Sequence, residues 1–166
     1  MTHDVASIRK AILDKYGSLS DPRFHFVRAT LEADPFRPLI DELRASFEVS
    51  EHTEPNVDVS FALVLRADGR VFPLRLSMIG PYAVLLRPPP AGSWEVIDPA
   101  AKTTESERRI LDTVRRFGIE PLDQTTLSLP IGLNMGDTEP DRCRLYQALF
   151  VDRDVLPWEW KPDAGS

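Results

Sequence analysis

A run of alternating residues in the middle of the chain constrains its fold more than any other feature. In VDVSFALVLRADGRVFPLRLSMIG, residues 57–80, apolar side chains recur at every second position, as they do in strands with one buried face. Asp68 and Gly69 lie between the two halves, where a two-residue hairpin turn is favoured. The pattern therefore predicts a hairpin of strands near 57–66 and 70–79.

More strands follow the hairpin. Gly80 and Pro81 precede YAVLLR, a predicted strand near 82–87, and PPPAG precedes SWEVID, a predicted strand near 93–97. TTLSLPIGL suggests a fifth strand near 125–131. Successive strands with short turns indicate an antiparallel β-meander, which helices can cover on one face. Pro73 has no N–H to donate, so we expect its strand to be unpaired on one side at that position.

Four segments have the apolar spacing of helices, near 4–16, 35–47, 104–117 and 139–150. Thr104 and Glu107 form the sequence of a capping box, and Gly17 is a helix stop signal. We expect Asp34 to cap the second helix and Thr138 to begin the last. Two segments stay open between helix and strand, 20–33 and 141–151, because their apolar residues fit both periods.

The chain has 166 residues, the length of one domain with a sizeable core. We therefore predict one α+β domain over 1–166, with a four- to five-stranded antiparallel β-meander packed against helices. No apolar run approaches the roughly 20 residues of a membrane helix. The N-terminal residues also lack the apolar stretch of a signal peptide, so we expect a cytoplasmic protein without a membrane partner.

The sequence provides no recognisable catalytic, cofactor-binding or metal-binding motif. Cys143 is the one cysteine, and the three histidines are not spaced as metal pairs from one element. Glycine-rich phosphate loops and the G-x-S-x-G elbow are absent from the sequence. A net charge of −6 argues against a nucleic-acid partner. These observations favour a non-catalytic protein with no cofactor.

Acidic residues cluster at two places in the sequence. Glu48, Glu51, Glu54 and Asp58 flank the first predicted strand of the hairpin, and the tail contains a second set, Asp152, Asp154 and Glu159. If these side chains project to one side, they form a surface suited to a basic protein partner. If they are scattered, they only keep the chain in solution.

Two of the three tryptophans lie in the tail, residues 152–166. Leu156, Trp158 and Trp160 alternate, so one face of an extended tail can pack on the domain. We expect Trp158 to clamp the tail to the domain. For Trp160 two readings stay open, a clamp and a contact with a partner, since exposed tryptophan is enriched at interaction hot spots.

The order of elements and the C-terminal LYQALFVDRDVLPWEW resemble bacterial immunity proteins of polymorphic toxin systems. The resemblance rests on an aromatic-x-x-Leu-Phe stretch, an acidic pair and Leu-Pro-Trp, here Tyr146, Leu149, Phe150, Asp152, Asp154, Leu156, Pro157 and Trp158. It implies a cytoplasmic antitoxin-like protein, able to act as a monomer, that binds and neutralises a cognate toxin.

The predicted order of one helix, a β-meander, a helix, a further strand and a terminal helix also resembles the acidic secretion chaperones of bacterial export systems. That resemblance implies a homodimer that binds an effector segment. An enzyme of unknown class is the third hypothesis. Self-association separates the first two, because a chaperone is expected to be dimeric.

Overall fold

The computed structural model describes residues 4–89 and 92–159, in which helices pack against a mainly antiparallel sheet in an α+β fold. The helices are α1 (Val5–Tyr16), α2 (Phe26–Ala33), α3 (Arg37–Arg44), α4 (Glu105–Arg116), α5 (Gln124–Leu127) and α6 (Leu145–Leu149). The strands are β1 (Glu48–Glu51), β2 (Ser60–Ala67), β3 (Arg70–Ser77), β4 (Tyr82–Arg87), β5 (Glu95–Val96) and β6 (Glu120–Pro121). None of the helices within these two ranges is long and apolar enough to cross a membrane.

The sheet follows the chain as a meander. Its strands lie in the order β1-β2-β3-β4-β5, all antiparallel, and β6 pairs in parallel with β4. At the β2–β3 turn, Asp68 and Gly69 have φ of 56° and 72°, the left-handed values that a type I′ hairpin turn requires. The β3–β4 pairing covers Leu74 to Leu76 and stops short of Pro73, as expected for a residue that cannot donate.

One face of the sheet is apolar and covered by helices. Leu63 pairs with Leu74, and Leu74 with Leu85, so the three side chains share this face, and all are buried. Helix α3 contacts both α4 and β1 on this side. The apolar stripes of the two helices, Leu39, Ile40, Leu43, Ile110, Leu111 and Val114, are buried in the same core.

The opposite face of the sheet is more polar and is covered by the C-terminal part of the chain. The Ser60 hydroxyl donates to the Phe150 carbonyl and the Ser77 hydroxyl to the Leu149 carbonyl, both at 2.7 Å. Together with the Val59 amide, which donates to the Phe150 carbonyl at 3.0 Å, these bonds satisfy carbonyls at the end of α6. The end of α6 is thereby fixed over the paired ends of β2 and β3.

The predicted α+β class and the central meander are confirmed. Helices α1 and α4, strands β3 and β4, and the capping box of Thr104 with Glu107 lie where the sequence places them. The predicted strand near 93–97 is shortened to β5. In the open segment 20–33, a helix forms over Phe26–Ala33, and it buries Phe26 and Val27.

The start of the first predicted strand is wrong. Strand β2 begins at Ser60 rather than near 57, because the Asp58 amide turns back to the Glu54 carbonyl and its carboxylate is buried. The polar connection before it contains a strand that the sequence did not predict, β1. β1 has few apolar residues because it lies at the edge of the sheet and has an exposed residue at each end.

The predicted strand near 125–131 is wrong as well. Asp123 accepts a hydrogen bond from the Thr126 amide and starts the short helix α5 there. Only Pro130 forms a β-bridge, with Arg144. Strand β6 lies earlier in the chain, and its parallel pairing with β4 was not expected.

The last predicted helix, near 139–150, is reduced to Leu145–Leu149, and Thr138 does not cap it. Backbone bonds from Ile131 to Cys143 and from Leu145 to Leu129 pair residues 143–145 with the preceding loop, so helix begins only after that pairing. The second helix is also shorter than the predicted 35–47. Asp34 lies at the C-terminal end of α2, where its carboxylate binds Arg37 instead of capping α3.

Candidate functional site

The tail and the more polar sheet face together form a groove. Val151, the residue before the tail, forms a β-bridge with Asp58, and the Asp152 amide donates to the Val57 carbonyl at 2.8 Å. Further on, the Trp94 amide donates to the Pro157 carbonyl at 3.2 Å. The tail is thus attached at two places, and a channel stays open between it and the sheet.

We call this channel the tail groove. It has a volume of about 360 Å³ and is lined by Pro73, Arg75, Leu86, Trp94, Tyr146, Val151, Arg153, Val155, Leu156 and Pro157. Strands β3 and β4 supply its floor, and the tail and Trp94 supply its walls. Eight of these side chains are apolar or aromatic, two are arginines, and none is acidic, which is the composition of a binding site for an apolar group with few polar contacts.

A buried ion pair fixes the polar end of the groove floor. The Nη1 of Arg75 lies 2.9 Å from Oδ1 of Asp58 and 3.3 Å from the Ser60 hydroxyl. Asp58 is 3% exposed, and its other oxygen accepts the Glu54 amide at 2.8 Å. Because both carboxylate oxygens have donors, the buried charge is compensated, and the guanidinium is held in one position.

Aromatic side chains hold the tail on the sheet. Tyr146 and Trp158 meet edge to face, with ring centroids 5.4 Å apart and an interplanar angle of 80°. Leu156 is buried, and Trp158 is partly buried against the core. Burial raises the pKa of Tyr146 above its ordinary value, and the neighbouring Arg75 opposes that shift. The expectation that Trp158 clamps the tail agrees with this packing, whereas Trp160 lies outside the described residues.

The acidic residues proposed as partner contacts are mostly engaged within the chain. Four of them lie in ion pairs with arginines, namely Glu51 with Arg37 and Arg44, Glu54 with Arg153, Asp58 with Arg75, and Asp154 with Arg142. Among the described residues, Glu48 and Glu159 are exposed and form no ion pair. The structure therefore provides fewer uncompensated acids than the sequence suggests.

Asp152 has a structural role in the loop that precedes the tail. Its two carboxylate oxygens accept the backbone amides of Asp137 and Thr138 at 3.0 and 2.8 Å. Asp152 and Asp58 also line one small cavity of about 120 Å³ beside Val57. Asp152 and the residues just before β2 are therefore neighbours, while Glu48 and Glu51 lie on β1.

Glu51 belongs to a second group of charges, between β1 and α3. Its carboxylate accepts hydrogen bonds from two arginines of α3, Arg37 in a bidentate arrangement at 3.0 and 3.2 Å and Arg44 at 2.7 Å. The hydrogen bonds of Arg37 lower the pKa of Glu51, and those of Arg44 lower it further. This group attaches the edge strand to the helix layer.

The thiol and histidine chemistry of the described chain is limited. Burial raises the pKa of the Cys143 thiol to about 12, so the thiol stays protonated at neutral pH. His25 precedes α2, and His52 contacts the Ser50 hydroxyl at 2.9 Å. Within residues 4–89 and 92–159 no three histidine, cysteine, aspartate or glutamate side chains are grouped as metal ligands.

Sequence reasoning missed the residues that line the groove. Arg75 alternates with the apolar residues of its strand, but alternation could not show that the tail crosses the face on which Arg75 and Pro73 lie. Trp94, in the loop before β5, was not considered. The signal in the sequence was the alternation of Leu156 and Trp158, which indicated that the tail packs on the domain but not on which face.

Comparison of the chain with protein-family models, with curated proteins and with solved structures finds no match.

Proposed function

We propose that this chain is a non-catalytic protein-binding module, an immunity protein of the bacterial cytoplasm that binds and neutralises a cognate toxin. The observation that carries the proposal is the tail groove, because it is the place in the described chain where an apolar channel, an exposed aliphatic residue and two arginines meet. Tryptophan, tyrosine and arginine, the residue types enriched at interaction hot spots, all line this groove.

Exposure of apolar side chains supports the groove as a contact. Val155, on the rim of the groove, is 56% exposed. The other exposed large apolar residues of the described chain are less exposed, namely Leu13, Phe24 and Phe117. A single exposed apolar residue needs no explanation, but one next to an open apolar channel marks a candidate interface. A partner side chain in the groove would bury Val155 and Trp94 together.

The groove is a better basis for the proposal than the acidic residues. A basic partner was inferred from acids that could project to one side. Since arginines of the same chain compensate four of those acids, an incoming cation would have to displace existing ion pairs. An apolar side chain of a partner can enter the groove without displacing any ion pair.

Calorimetric binding to the protein encoded by the neighbouring gene tests this function. The wild-type chain is expected to bind a toxin-domain partner, and Val155→Asp is expected to weaken binding at least tenfold by placing a charge at the contact. Leu13→Asp is the matched control, because Leu13 is 48% exposed on α1, away from the groove. Equal losses for the two variants, or no binding by wild type, would contradict the proposal.

A further inference from the structure

We infer that the tail groove selects a partner segment in which an apolar side chain is adjacent to a carboxylate. This inference rests on the proposed protein-binding function and specifies the chemistry of the bound segment. It follows from the charge of the groove lining, from the positions of the two arginines, and from the apolar surface between them.

The charge of the lining favours an acidic segment. Arg75 and Arg153 are the charged residues among those that line the groove, and no acid lies among them. Asp58, which compensates Arg75, is 3% exposed. A partner that approaches from solvent therefore meets the positive side of the pair, and an acidic segment is the complementary one.

Arg153 is the cation that a partner can reach most easily. Its side chain is 59% exposed, and its Nη2 lies 3.5 Å from a carboxylate oxygen of Glu54, whose side chain is 64% exposed. A pair that is this long and this exposed contributes little stability, because water screens it. A partner carboxylate can therefore replace Glu54 at small cost, and Arg153 can bind it in a bidentate manner.

Arg75 has the complementary role of a fixed positive group. Only its Nη1 makes the hydrogen bonds to Asp58 and Ser60, and its side chain is 20% exposed at the floor of the groove. Because the guanidinium is already ordered, a ligand that contacts it loses little side-chain entropy on binding. A basic segment would have to place its charge beside both arginines of the groove lining, where Glu54 is the exposed acid within reach.

The apolar part of the groove determines the second feature of the segment. Pro73, Leu86 and Trp94 form apolar surface next to Arg75, and Val155 stands on the rim opposite. The volume of about 360 Å³ lies at the lower end of ligand-sized pockets, so it accommodates a small group of atoms rather than a folded element. An aliphatic or aromatic side chain next to the carboxylate meets both requirements.

Selection from a random heptapeptide display library against the immobilised full chain tests this inference. We expect the enriched peptides to contain Asp or Glu next to an aliphatic or aromatic residue. Two enriched peptides are then synthesised, each also with its acid replaced by the amide. We expect the amide form to bind wild type roughly three- to tenfold more weakly, the effect of losing one exposed charge pair.

A double-mutant cycle locates the contact. Arg153→Gln is expected to lower the affinity for the acidic peptide by the same factor. The affinity for the amide peptide should be the same for this variant as for wild type. Arg142→Gln is the matched control, because Arg142 is an exposed arginine paired with tail residue Asp154 but does not line the groove. Thermal melting of both variants confirms that they fold.

Several outcomes would overturn the inference. These are enrichment of basic or uncharged peptides, no enrichment, or equal effects of Arg142→Gln and Arg153→Gln. Tighter peptide binding after removal of residues 160–166 would assign the groove to the chain's own end instead. If wild type sediments as a dimer and Val155→Asp dissociates that dimer, the groove binds a second copy of the chain instead. Calorimetry with the neighbouring gene product is a separate measurement, so failure of the proposed function is distinguishable from failure of the peptide chemistry.

Discussion

The indole of Trp158 packs edge-on against the ring of Tyr146, which is buried at the first turn of α6, with centroids 5.4 Å apart. The Pro157 carbonyl, one residue earlier, accepts the Trp94 amide from the loop before β5. An aromatic contact and a backbone bond at adjacent residues therefore hold the tail to Tyr146 and Trp94, both of which line the groove.

We predict that Trp158→Ala lowers the free energy of unfolding by about 2 kcal/mol. The value is below the roughly 3–5 kcal/mol of a fully buried tryptophan, because Trp158 is only partly buried. For a chain of this size the melting temperature should fall by about 4–8 °C. Calorimetric melting measures it, with Glu159→Ala, at the exposed next residue, as a control that should leave the melting temperature unchanged.

Removing the tail from residue 156 onward should cost more than Trp158→Ala, because Leu156 is 5% exposed and is lost as well. We expect the melting temperature to fall by roughly 10 °C. A truncated chain that melts like the full one would show that the tail contributes no stability in solution.

The Arg87–Glu107 pair predicts a specific loss of stability in acid. Glu107 is buried, its carboxylate accepts two hydrogen bonds from Arg87 at 2.7 Å, and these bonds lower its pKa. A carboxyl whose pKa is lower in the folded than in the unfolded state contributes its full stabilisation of the fold at pH values above the unfolded-state pKa, about 4.3 for Glu. That stabilisation is lost as the pH falls through the folded-state pKa. Wild-type stability should therefore decrease as the pH falls below about 5.

Glu107→Gln should reduce this pH dependence and lower the free energy of unfolding by about 3 kcal/mol at neutral pH. This value is the lower end for breaking a buried ion pair, because Glu95 still lies 3.3 Å from Arg87 in the variant's other ion pair. Urea unfolding between pH 3 and 7 provides the measurement. Glu105→Gln is the control, because Glu105 lies in the same first turn of α4 and is exposed. If both variants show the wild-type slope, Glu107 is not the group responsible.

The parts of the fold that the sequence predicts are those with a local physical cause. The type I′ turn at Asp68 and Gly69 follows from backbone preferences, and the box of Thr104 and Glu107 from satisfying helix-end amides. The misassigned parts depend on contacts distant in the chain. The segment near 125–131 has a strand-like pattern, but Asp123 caps a helix turn there, and the β-bridge of Pro130 is with Arg144, a residue outside the segment.

The candidate site was harder to predict for the same reason. Its charged residues could be seen in the sequence, but not their partners, because Asp58 and Arg75 are separated by 17 residues and Glu54 and Arg153 by 99. Side-chain type alone could not distinguish an acid offered to a partner from one that binds an arginine of its own chain. The groove residues come from β3, β4, the loop before β5, α6 and the residues that follow α6, so no spacing in the sequence marks them.

Cys143 should be unreactive in the folded protein. Its thiol is buried, and burial raises its pKa to about 12, so both access and thiolate content are low at pH 8. A maleimide reagent is expected to label the native chain at least a hundredfold more slowly than the same chain unfolded in guanidinium chloride. Mass spectrometry over time measures the two rates, and comparable rates would indicate that the loop at Cys143 opens readily.

Glu51 is expected to act on stability rather than on partner association. Because its carboxylate bridges Arg37 and Arg44, Glu51→Gln removes two ion pairs between β1 and α3, which we expect to cost about 1 kcal/mol after allowance for solvent screening. The difference in stability between wild type and Glu51→Gln should be smaller in 0.5 M salt, because salt screens the two ion pairs in the wild type. Urea unfolding at low and high salt measures both effects.

Glu54 provides the contrast, because its ion pair with Arg153 is exposed and 3.5 Å long. Glu54→Gln should change stability by less than about 0.5 kcal/mol. It should also release Arg153, so acidic peptides selected on the groove should bind this variant as well as wild type or more tightly. Weaker peptide binding by Glu54→Gln, measured by calorimetry, would show that Glu54 itself contacts the peptide and is not displaced from Arg153 by it.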